Sequence, residues 1–172
     1  GVLIPAFKRT GARLKAIGSS SGVTSVHAGR KYGFEEMTTD VDKMITDSDT
    51  QAIVIATRHN SHAQLVCSAL RAGKHVFVEK PLALTIPELE DIQAVTEEVL
   101  QVSSDTTAQS PPLLMVGFNR RFAPHIEKMK SLLTAVREPK AFVMTVNAGV
   151  IPPQHWAHDR VVGGGRILGE GC

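Results

Sequence analysis

Lys80 stands between an acid, Glu79, and a proline, Pro81, directly after an apolar run. An amine so placed can hydrogen-bond a reacting hydroxyl and steady the negative charge that grows on its oxygen. Similar positions recur along the chain. Ser19, Ser20, Ser21 and Gly22 follow one apolar run, Thr57, Arg58, His59, Asn60 and His62 follow another, and Asn119, Arg120 and Arg121 follow a third. The two arginines can clamp a carboxylate or a diphosphate through bidentate contacts. Each position also has a plainer explanation. Lys80 could be a solvated surface lysine, Arg120 and Arg121 could pair with acids across a domain boundary, and His59 is as open to a structural role as to a binding one. A lone histidine here makes no metal site.

Such residues need a frame that gathers them on one edge. Residues 2–9 read as a helix that Gly11 can end, and residues 12–18 as a strand. A helix over 23–32 is stopped by Gly33, a short extended piece lies near 34–37, and Asp40 caps a helix through Thr46. Residues 51–56 (QAIVIA) form a continuous apolar run, expected for a strand buried on both faces of a parallel sheet. A helix over 61–72 ends at Gly73 before a strand at 75–78. Thr85 with Glu88 is a capping box opening a helix to about Val102. Residues 103–112 are polar and read as an exposed loop; 113–118 form a strand, 124–136 a helix and 141–146 (AFVMTV) a strand that begins something new. Strands alternating with helices in this way imply an α/β fold with a doubly wound parallel sheet and right-handed crossovers. Ligands of such sheets sit beyond the carboxyl ends of the strands, where the polar residues named above fall.

Bulk properties narrow the function. The 172 residues are 42% hydrophobic and 21% charged, the composition of a globular protein, and no stretch approaches the roughly 20 apolar residues of a spanning helix. The formal charge of +2 is too small and too scattered for nucleic-acid binding. Cys67 and Cys172 lack the spacing of a zinc site or the density of a disulfide framework, which fits a reducing, cytoplasmic setting.

The segment HVFVEKPLALT, with Lys80 in Glu-Lys-Pro, is similar to the signature after the fifth strand of Gfo/Idh/MocA oxidoreductases. IVIATRHNSHAQLVCSALRAGKHVFVEKP and GGGRILGEGC resemble that family too, so the likeness covers essentially the whole chain. TRHNSHA, VGFNRRFAPH and VNAGVIPPQHWAHD look like a branch found in polysaccharide-biosynthesis proteins, where this module can follow a zinc-type alcohol dehydrogenase domain. The resemblance implies a Rossmann-type nucleotide-binding half at residues 1–119 and the start of an α+β substrate and oligomerisation half at 120–172. It implies NAD or NADP as cofactor, a sugar or nucleotide-sugar as small-molecule substrate, and a homo-oligomer.

Carried onto this chain, the resemblance makes Lys80 the proton-transfer residue, with a cis peptide before Pro81 and Glu79 orienting the nicotinamide ribose or the lysine. Thr57, Arg58, His59 and His62 fall where relatives contact the nicotinamide end, although His62 also suits the start of the following helix. Ser19 and Ser20 fall at the adenosine ribose, where many relatives place an acid; without that carboxylate, and with Arg30 or Lys31 near, NADP is permitted. Asn119 completes the cofactor set, and Arg120, Arg121, His155 and Trp156 fall on the substrate side. Gly163, Gly164 and Gly165 read as a mobile loop in preference to a phosphate cradle. Relatives carry an aspartate four residues before a catalytic histidine; here Gly169 stands there, followed by Glu170. That histidine would come directly after Cys172, and a first strand with a glycine-rich turn would precede residue 1. On this reading the chain is an inactive fragment of an enzyme, the rival being a dinucleotide-binding sensor or scaffold without turnover.

Overall fold

The computed structural model describes residues 2–105, 110–147 and 149–171. Helix α1 (Leu3–Arg9) leads into β1 (Ala16–Gly18), α2 (Val23–Tyr32), β2 (Glu36–Thr38) and α3 (Val41–Thr46). Then come β3 (Ala52–Ile55), α4 (His62–Arg71), β4 (His75–Val78), α5 (Ile86–Asp105), β5 (Leu114–Val116), α6 (Pro124–Leu133) and α7 (Arg166–Gly171). All pairings are parallel. The alternation is present as two sheets, β1-β2 and β3-β4-β5, with a helix between consecutive strands.

Local chemistry explains where the helices begin and end. The Asp40 side chain accepts from the Lys43 N–H at 3.0 Å and opens α3. Glu88 accepts from the Leu84 and Thr85 amides at 2.8 and 3.0 Å while Thr85 Oγ1 accepts from the Glu88 N–H at 3.3 Å, so the capping box forms as expected. Gly33 ends α2 at φ 79°, a left-handed conformation that costs glycine little.

One face of the larger sheet makes the core. Ile53 and Ile55 of β3 and Val76 and Val78 of β4 pack with Val66, Ala69 and Leu70 of α4 and Ile92 and Val95 of α5, all buried. The apolar run at 51–56 is not buried on both sides: Val54 is 41% exposed. On that second face α1 brings Phe7 edge-on to Phe77, ring centroids 5.5 Å apart, and a seven-residue helix covers too little to reach Val54 and Met115 as well.

Two further expectations are corrected. Residues 141–146 do not form a strand; they have no regular structure and are exposed, Val143 to 98%, because no described strand lies alongside to pair with them. Residues 103–105, read as the start of a loop, continue α5, where the Ser103 hydroxyl donates back to the Val99 carbonyl at 2.8 Å. Residues 106–109 of that loop lie outside the described residues. No helix among the described residues is long and apolar enough to cross a membrane.

Leu70 is 1% exposed at the junction of α4 with the sheet. Leu70→Ala should lower stability by about 2–5 kcal/mol in urea unfolding, and a loss below about 0.5 kcal/mol would show that α4 is not the main cover of the sheet.

Candidate active site

Strands β3 and β4 pair in register from Ala52↔His75 to Ile55↔Val78, so they stop at the same level. The Glu79 N–H donates to the Ile55 carbonyl at 2.9 Å and extends the ladder by one bond. Residues 57–59 and 79–81 therefore leave the sheet side by side. The first turn is closed by its own hydroxyls, Thr57 Oγ1 and Ser61 Oγ 2.7 Å apart, before a 3-10 turn at His59–Ser61. The second turn contains the cis Lys80–Pro81 peptide. From β5, the Gly117 N–H donates to the Val78 carbonyl at 2.8 Å, and a Cβ on Gly117 would lie 3.2 Å from both Glu79 Oε2 and Phe77 Cζ. Glycine here leaves room for the Glu79 carboxylate.

Residues 149–171 fold over this edge and meet it largely through backbone carbonyls. The Asn60 N–H donates to the Val162 carbonyl at 3.2 Å, and His59 Nδ1 lies 2.8 Å from the Gly163 carbonyl. A carbonyl only accepts, so the His59 proton is on Nδ1. The Lys80 amine donates to the Gly169 carbonyl, and Arg120 Nη1 donates to the Glu170 carbonyl at 2.6 Å. Two cations thus sit on carbonyls in the last turn of α7, which have no intrahelical donor and favour positive charge. Gly163 and Gly164 form a packed turn where a mobile loop was expected: a Cβ on Gly163 would lie 2.6 Å from Ala157 Cα and from the Trp156 carbonyl.

Trp156 stands beside the same cluster. Its ring centroid is 4.9 Å from that of His59, edge to face, and the Arg58 guanidinium lies 5.9 Å from its centre. Arg58, His155, Trp156 and Asp159 help line an open concavity of about 740 Å3. Burial pushes the His59 pKa down, aided by the neighbouring His62 and Lys80, against the pull of the Gly163 carbonyl.

The other expected residues divide. Arg120 is paired with Glu170, Nη2 to Oε2 3.6 Å, with both side chains partly exposed. Arg121 stacks on Phe122, 4.7 Å from the ring centre, and Asn119 opens an exposed 3-10 turn. His155 caps the turn of Trp156, its Nδ1 accepting from the Ala157 N–H at 3.2 Å. His62 is a correction: it is fully buried and both its nitrogens face backbone carbonyls, so its ring does not reach a cofactor. Ser19 and Ser20 lie away from this cluster, at the end of the other sheet, where Ser19 Oγ accepts from the Ser25 N–H at 3.3 Å. Beside them Ser21, Gly22, Val23, Val26, His27 and Arg30 line a second concavity of about 560 Å3, which holds hydroxyls and a guanidinium but no carboxylate. Among the described residues no group of three or more His, Cys, Asp or Glu could hold a metal. The sequence gives no notice of the Gly163 and Gly169 carbonyls, since backbone acceptors carry no residue signature; the run of three glycines is the one hint of close approach.

A family profile, "Oxidoreductase family, NAD-binding Rossmann fold", matches residues 3–104. The chain is 31% identical over 134 residues to myo-inositol 2-dehydrogenase of Thermotoga maritima, covering 78% of this chain and 37% of that protein. It is 35% identical over 137 residues to inositol 2-dehydrogenase of Rhizobium meliloti, covering 80% and 38%. A solved levoglucosan dehydrogenase in complex with NADH and levoglucosan superposes with a TM-score of 0.69 at 26% identity, covering 88% of this chain and 40% of that one. The chain thus spans well under half the length of these relatives.

Because its folded pKa is depressed, His59 stays neutral in the folded chain while the unfolded chain takes up a proton below the ordinary value of about 6.5. Its contribution is fully present above that pH and is lost as pH falls toward the folded value. Urea midpoints measured from pH 7.5 to 5.5 should fall less steeply for His59→Gln than for the unaltered protein; equal slopes would mean the ring is not desolvated.

Proposed function

Since the chain belongs to the Gfo/Idh/MocA oxidoreductase family, with its NAD-binding Rossmann fold, we propose that the full-length protein moves hydride between NAD and a hydroxyl-bearing carbon of a cyclic polyol or sugar. The observation that carries this reading is the Lys80 amine at the end of β4, beside the turn that holds His59 and donating to a carbonyl oxygen. An amine that already meets an acceptor oxygen there can do the same for a substrate hydroxyl and relay its proton.

The donor set suits a dinucleotide laid across the strand ends. Ser19, Ser20 and the concavity with Arg30 would hold the adenosine ribose, and the guanidinium with no opposing acid also accommodates a 2′-phosphate. Thr57, Arg58, His59, Glu79, Pro81 and Asn119 would bracket the nicotinamide end. Bound NAD would supply the hydride acceptor. Trp156, with His155 and Arg58 beside it, offers an apolar ring face with polar neighbours, the kind of surface on which a sugar ring packs. Residues 1–119 would serve as the cofactor half and 120–172 would belong to the substrate half. Phe142, Val143 and Met144, at least 63% exposed, support further pairing in a homo-oligomer. Cys67, a buried free thiol, supports a reducing, cytoplasmic setting. Inositol and levoglucosan dehydrogenases among the relatives favour a cyclic polyol or sugar; a nucleotide-sugar of polysaccharide synthesis rests on the three segments quoted earlier.

Lys80→Ala in the full-length protein should lower kcat on its best polyol or sugar by at least about 100-fold while NADH affinity, read by fluorescence, stays within about threefold. An unchanged rate would remove Lys80 from proton transfer. NADH binding without turnover on inositols, levoglucosan and nucleotide-sugars would favour a sensor or scaffold.

A further inference from the structure

Buried His62 bridges the two turns that define the site. Its Nδ1 lies 2.7 Å from the Pro81 carbonyl and its Nε2 3.2 Å from the Thr57 carbonyl, and the ring is 0% exposed. Both neighbours are acceptors and a neutral imidazole has one N–H, so the shorter contact places the proton on Nδ1, which donates to the Pro81 carbonyl. The ring is the first residue of α4, whose Val66 and Leu70 are locked in the core, so its position is set by the best-packed part of the molecule. The turn it holds packs Pro81, Leu82 and Ala83 inward but has few hydrogen bonds of its own. Among the described residues no backbone-to-backbone hydrogen bond involves residues 80–83, and proline has no N–H to offer. The contact from His62 is the hydrogen bond that ties the main chain after Lys80 to α4, beside the packing of Leu82 and Ala83 on the core.

We propose that His62 is a positioning residue: through the Pro81 carbonyl it fixes the turn from which the Lys80 amine reaches the reacting hydroxyl. Core packing alone does not account for the residue, since an aliphatic side chain of similar volume would fill the space without supplying a donor to the Pro81 carbonyl. This inference rests on the reading of Lys80 given above and adds a second residue, out of reach of any ligand, to the same site.

The test compares His62→Leu, His62→Asn and His62→Gln in the full-length protein. The asparagine amide falls close to Nδ1 and keeps the bond to Pro81; glutamine reaches toward Nε2 and Thr57; leucine keeps neither. His62→Leu is expected to lose about 10–100-fold in kcat, the scale of a misplacement of about an ångström, with NADH affinity within about threefold. Amide exchange in residues 79–85 should quicken at least about fivefold while α5 residues 90–99 stay unchanged. His62→Asn should recover both readouts to within about threefold, and His62→Gln should not. If the leucine variant does not fold, the Asn–Gln comparison decides alone. The inference is overturned if asparagine fares no better than glutamine, if all variants keep the unaltered kcat, or if exchange rises equally in α5. Lys80→Ala run in parallel separates the two readings. A Lys80→Ala protein that still turns over defeats the lysine reading, whereas an inactive Lys80→Ala beside an unimpaired His62→Leu defeats this inference alone.

Discussion

The structure depends on the in-register parallel pairing of β3 with β4. Because Ile55 and Val78 are opposite one another, both strands release their chains at the same level, and Thr57–His59 and Glu79–Pro81 emerge as neighbours. A slip of β4 by one residue would turn Val76 and Val78 away from α4 and α5 and unseat the turns as well. The register that buries the core is thus the same register that assembles the site.

What lies across that edge is held mainly by main-chain atoms. Lys80 and Arg120 meet carbonyls of α7, His59 meets Gly163, and Asn60 meets Val162. Contacts of this kind need close approach, which explains why Gly163 has no room for a Cβ against Ala157 and Trp156. They also join residues 149–171 to the turns at the ends of β3 and β4.

Features set by neighbours in the chain were open to reading from the sequence. Asp40, the Thr85–Glu88 box and Gly33 act within a few residues, so their roles follow from spacing alone. The strand-end residues were legible as a set, because parallel sheets put them on one edge. What each does there was not, since it depends on side-chain direction and on distant partners. His62 follows a strand just as His59 does, yet one ring points into the core and the other toward Gly163 and Trp156. Val54 and residues 141–146 look like buried strand from their composition, but burial and pairing come from whatever packs alongside. The pairing of Arg120 with Glu170 was not legible either, because the two are fifty residues apart in the chain.

The most direct test of the central claim is a crystal structure of the full-length protein with NADH and a bound polyol or sugar. The account predicts the Lys80 amine within about 3 Å of the hydroxyl on the carbon facing the nicotinamide ring. A nicotinamide seated away from the ends of β3 and β4, with Lys80 beyond reach of both ring and substrate, would contradict it.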